Sequence, residues 1–140
     1  MKSPFAGAAL TVLVLCHYSI SPEDTIEMLN LLSGPSTLSA ADISTLSKSL
    51  SEHEYIPYSF FANATQENGY EPSLPFVISV RDTSFSYNEP GFATVYVQSS
   101  GAETPRSIIL RKKESTGEWF LWDQKLLDPI QKPQKHDPYK

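Results

Sequence analysis

The chain has 140 residues, 40% of them apolar, and a formal net charge of −5. That is the size and composition of one globular domain rather than of a disordered chain, and the acidity argues against a nucleic-acid partner. No apolar run approaches the roughly 20 residues that cross a bilayer, and the single cysteine, Cys16, closes no internal disulfide. Charge is unevenly spread. Residues 1–76 carry two lysines against eight acids, and the remainder carries nine basic residues against eight acids. The second half is therefore nearly neutral and is not a basic arm.

The opening stretch has two readings. Lys2 followed by the apolar run Phe5–Cys16 has the outline of a secretion signal. However, Leu15 before Cys16 is bulky for a lipoprotein site, and a cut after Ser21 leaves Pro22 at the new end. Ser3-Pro4 instead supplies a capping hydroxyl and a proline suited to the first helical position. The sequence favours a buried helix, with Phe5, Ala8, Ala9, Val12 and Cys16 on one stripe and Leu10, Leu13 and Val14 widening it. A cytoplasmic protein follows from that reading. Export is the alternative if residues 1–21 act as a signal.

Ser21-Pro22-Glu23-Asp24 repeats the device and predicts a second helix over about Pro22–Leu32, ended by Gly34-Pro35. Ser39-Ala40-Ala41-Asp42 is a capping-box-like start for a third, whose stripe is Ile43, Leu46 and Leu50. A long connection then carries Tyr55, Tyr58, Phe60, Phe61, Tyr70 and Phe76 among Pro57, Pro72 and Pro75. Its aromatic side chains are expected to plug the edge of the core, with a binding loop as the competing role.

Four strands are expected at Phe76–Val80, Phe92–Gln98, Arg106–Lys113 and Glu118–Asp123, with a hairpin turn at Ser115-Thr116-Gly117. By alternation Trp119, Leu121 and Asp123 share one face of the last strand, and Phe120 and Trp122 the other. The predicted fold class is α+β: three N-terminal helices packed on a C-terminal antiparallel meander of about four strands, with a cone-shaped curved sheet as one form of it. Residues 1–128 read as one domain and residues 129–140 as a Pro-rich extended tail.

Three stretches carry a resemblance: IEMLNLLSGP, SFFANATQENGYEPSLPF and ETPRSIILRKKESTGEWFLWDQ. Together they resemble a bacterial family of uncharacterised proteins, a domain of unknown function. The resemblance implies that the opening apolar segment belongs to the domain and that the protein is intracellular, and it brings no catalytic or cofactor residue with it. The order of elements is also similar to the cone-shaped domains related to nuclear transport factor 2, a fold that hosts enzymes and non-enzymes alike.

Chemistry is sparse. His17, His53 and His136 show no metal-ligand spacing, and no phosphate loop or nucleophile elbow is present. No cofactor is implied, and no catalytic residue is named. His17 suits the helix dipole, and His53 lies between Glu52 and Glu54. Asn63-Ala64-Thr65 matches a glycosylation sequon by chance. The run Arg111-Lys112-Lys113 is expected to guard a sheet edge. The candidate binding residues are Tyr58, Tyr70, Tyr96, Trp119, Trp122 and Asp123. The last is a carboxylate on an aromatic face, or the partner of Arg106 or Arg111. They point to a non-enzymatic domain that binds a protein partner or a second copy of the chain. The alternatives are a small-molecule pocket, with or without catalysis, and a secreted lipoprotein.

Overall fold

Ser3 and Ser21 start the first two helices in the same way. Ser3 Oγ accepts from the Phe5 amide and Ser21 Oγ from the Asp24 amide, each ahead of a proline. They open α1 (Pro4–Cys16) and α2 (Pro22–Ser33). In α3 (Ala40–Glu52) the capping box is complete: Ser39 and Asp42 exchange side-chain and backbone hydrogen bonds at 3.0 and 3.2 Å. The computed structural model describes residues 1–133, so His136 and the end of the tail lie outside the described residues.

The sheet has four strands, β1 (Val80–Arg81), β2 (Phe92–Val97), β3 (Arg106–Lys113) and β4 (Glu118–Gln124), in the order β1-β2-β3-β4. Every neighbouring pair is antiparallel, so the sheet is an open meander laid against three helices, an α+β arrangement. The first strand is shorter and later than the sequence predicts. Ile78 bridges Phe61, and the Ala62 amide donates to the Val77 carbonyl at 2.8 Å. The stretch from Phe76 is thus spent on the aromatic connection before it reaches the sheet. Because β3 is an interior strand, Arg111-Lys112-Lys113 does not guard an edge.

α1 touches all four strands. The side it buries is Pro4, Gly7, Ala8, Thr11, Val12 and Leu15. This corrects the expected stripe: Phe5, Leu10 and Leu13 are exposed. An apolar ring all round a helix gives no moment to choose a face, and packing chose the small residues. The Leu110 side chain occupies the space a Cβ on Gly7 would need, so the helix lies close to the sheet. The buried Thr11 hydroxyl is satisfied by the Gly7 carbonyl at 2.8 Å. Against this face stand Val95, Val97, Ile108 and Leu110, all fully buried, each contributing about 1.5–3 kcal/mol by leaving water.

Candidate functional site

Four of the six candidate residues are spent within the fold or stand apart. Tyr70 is 2% exposed and stacks on Tyr55 at 5.7 Å, and its hydroxyl donates to the Gln131 carbonyl at 2.6 Å. Burial pushes its phenol above the ordinary range, with the charges of Tyr55 and Glu67 adding to the shift. The Tyr58 hydroxyl donates to the Cys16 carbonyl at 3.0 Å and meets Ser19 Oγ at the same distance. Trp119 packs against the central core. Tyr96 pairs with Arg81 and Ser107 and alternates with the buried Val95 and Val97, so it lies on the sheet face turned away from the helices. The aromatic connection is further pinned by Asn63, whose side chain accepts from the Ser73 amide at 3.2 Å.

The structure brings together Trp122 and Asp123. Leu110 faces Leu121 and Ile109 faces Asp123, which leaves Trp122 as an extra residue in β4. This bulge breaks the alternation. The expectation that Asp123 shares a face with Trp119 and Leu121 is thereby corrected: Asp123 stands opposite Ile109, while Trp119 and Leu121 face Lys112 and Leu110 on the helix side. Trp122 meets Phe92 edge-on at 5.6 Å, and the Arg111 guanidinium lies 4.9 Å over both rings. Asp123 does not pair with Arg106 or Arg111. Its carboxylate accepts from the Gln124 amide at 2.8 Å and meets Lys125 at 3.7 Å, while Arg106 donates to the Pro129 carbonyl at 2.8 Å.

Trp122 and Asp123 border a groove of about 420 Å³ between α3 and the end of β4. Its floor is Leu15, Leu29, Leu46, Leu121 and Leu127. Its polar lining residues include Ser36, Thr37, Thr45, Ser49, Asp42, Asp128 and Lys125, with Asp123 at the edge where β4 meets the groove. Several supports are fixed by hydrogen bonds at 2.8 Å: Asn30 accepts from the Leu38 amide, Ser33 donates to the Leu29 carbonyl, and Gln124 accepts from the Leu126 amide. The α3 contribution escaped the sequence reading, although Asp42, Thr45 and Ser49 recur at helical spacing beside the Leu46–Leu50 stripe.

The groove lining holds neither histidine nor cysteine. His53 caps the C-terminal end of α3 and meets the Tyr55 hydroxyl at 3.4 Å. His17 sits at the end of α1, 3.9 Å from Asp24. Burial pushes the Cys16 thiol up to about 12, which makes it a poor nucleophile. Among the described residues no group of three His, Cys, Asp or Glu side chains is placed to hold a metal ion. None of their helices is long and apolar enough to cross a membrane.

A family model described as a domain of unknown function, DUF6935, matches residues 1–134. No curated protein and no solved structure matches the chain. The likeness to nuclear transport factor 2 thus rests on the order of elements alone.

Proposed function

Since the chain belongs to the DUF6935 family of domains of unknown function, we propose from its geometry that it is a binding domain. Its site is the groove between α3 and the end of β4, and its ligand carries an amine on an apolar stem. The observation that carries this reading is the lining: a leucine floor beneath three aspartates and one lysine. The volume of about 420 Å³ is within the range of small-ligand sites. A carboxylate beside a held tryptophan is suitable chemistry for an organic cation. The amine is supplied either by a lysine of a partner protein or by a free small molecule, and the same contacts serve both. A cytoplasmic location goes with this reading, supported by the place of α1 at the centre of the core.

The test is an amide-shift titration with butylamine and, separately, with a short lysine-containing peptide. Shifts confined to residues 36–49 and 121–128, abolished in Asp123→Asn/Asp128→Asn, support the groove. Tighter binding of the peptide identifies a protein source, and tighter binding of the free amine a metabolite. If neither probe shifts these residues at millimolar concentration, the reading falls.

A further inference from the structure

The water-facing side of α1 and α2 carries a second recess. It encloses about 380 Å³ between Leu13 and Val14 of α1 and Met28 and Leu31 of α2, with Asp24 and Glu27 on the α2 bank. Leu13 and Leu31 are 47% and 73% exposed, and Leu10, about one turn before Leu13, is 41% exposed. α1 has no charged side chain along its length, and the residues it exposes (Phe5, Ala6, Leu10 and Leu13) are all apolar. A surface helix normally turns polar residues to water. One that turns only apolar residues outward marks a face that is covered in use.

We propose that this recess docks an amphipathic helix of a partner protein, with an apolar stripe on one face and lysine or arginine along its flank. The shape argument is that the last turn of α1 and the length of α2 bank one recess, and that the α2 wall repeats at helical spacing. On α2 that spacing is Asp24, Glu27/Met28 and Leu31. A stripe at i, i+3/i+4 and i+7 fits such a recess, and methionine adapts to it. The charge argument selects the partner. The lining holds no lysine or arginine, its one imidazole, His17, lies 3.9 Å from Asp24, and the first 76 residues are strongly acidic. A second copy of the chain docking through the same face brings a like set of acids to the contact, and an anionic membrane is repelled by the same groups. A basic flank turns Asp24 and Glu27 into attraction that steers the encounter.

The probe is a short synthetic helix with a leucine stripe and lysine flanks, titrated into the full chain by fluorescence anisotropy and by amide shifts. A counterpart carries glutamate in place of lysine. The lysine helix is expected to bind with shifts centred on residues 10–31, and the glutamate helix is not. Leu31→Ser should weaken binding at least about tenfold, from the loss of one buried leucine. Because Leu31 is largely exposed, its melting temperature should match that of the parent. Glu27→Lys should transfer preference to the glutamate helix. Equal binding of both helices, or none, overturns the proposal. So does a dimer seen by light scattering that Leu31→Ser dissociates, or binding to phosphatidylserine vesicles that Leu31→Ser abolishes.

Discussion

The Tyr70 hydroxyl reaches across 61 positions of sequence to the Gln131 carbonyl, and the Gln131 amide donates to the Gly101 carbonyl at 3.0 Å. Gln66 adds a bond to the Lys132 carbonyl at 2.9 Å. The start of the tail is thus laid over the aromatic connection and held there. Tyr70→Phe removes one hydrogen bond and should cost about 0.5–1.5 kcal/mol, with faster hydrogen exchange at the Gln131 amide. Tyr70→Ala also empties a buried ring site and should cost about 3–5 kcal/mol. Urea denaturation separates the two.

The position of α1 makes its loss a folding defect. Leu15 is 1% exposed within the central core, and Leu15→Ala should cost about 2–5 kcal/mol by lost burial and the cavity left behind. A chain lacking residues 1–18 should show neither cooperative thermal unfolding nor dispersed amide resonances. A cooperative transition in that truncated chain contradicts the placement of α1.

Alkaline pH should unfold the protein early. The Cys16 thiol rises from 9.0 to about 12 in the folded state, and the Tyr70 phenol shifts in the same direction. Both groups hold their protons in the fold at a pH where the unfolded chain releases them. The stability they contribute is full below pH 9 and is lost as pH climbs towards 12. The urea midpoint should decline across that window, and Cys16→Ala should make the decline shallower. An equally steep decline in the variant contradicts the role of the thiol.

Arg111 holds Trp122 in place more than it stabilises the fold. Its guanidinium lies 4.9 Å over both Trp122 and Phe92, and an exposed contact of this kind is worth about 0.5–1 kcal/mol. Arg111→Ala should therefore leave the melting temperature nearly unchanged while altering Trp122 emission, read in a Trp119→Phe background. An unchanged spectrum indicates that Arg111 does not order the indole.

Much of the fold was legible because local rules and tertiary packing agree. Ser3, Ser21 and the Ser39–Asp42 box start helices where their chemistry says, and β3 has the limits its alternation suggests. What was not legible depends on a choice between equal local options. α1 is apolar on every side, so only its fit against Leu110 decides that Gly7 faces inward. The extra residue in β4 has no local signature, and that single insertion moves Asp123 to the face opposite Leu121. The groove combines a ridge of α3 with the end of β4, and no pattern within either element reports on the other.

β4 is the outermost strand of the sheet, yet little of its free side is available. The Trp119 amide donates to the Met1 carbonyl at 2.7 Å, and the Gln124 amide is taken by Asp123. Between them the chain at Gly34, with φ 64°, presses so close that an added Cβ would stand 2.5 Å from Phe120 Cδ1. Gly34→Ala should therefore lower stability by more than about 1 kcal/mol, from the left-handed backbone and the clash together. At the opposite margin β1 offers only two residues. Among the described residues both margins of the sheet therefore offer a neighbouring chain little regular ladder to extend. Association by strand addition is thereby disfavoured, and concentrated solutions should not seed fibres from the native state.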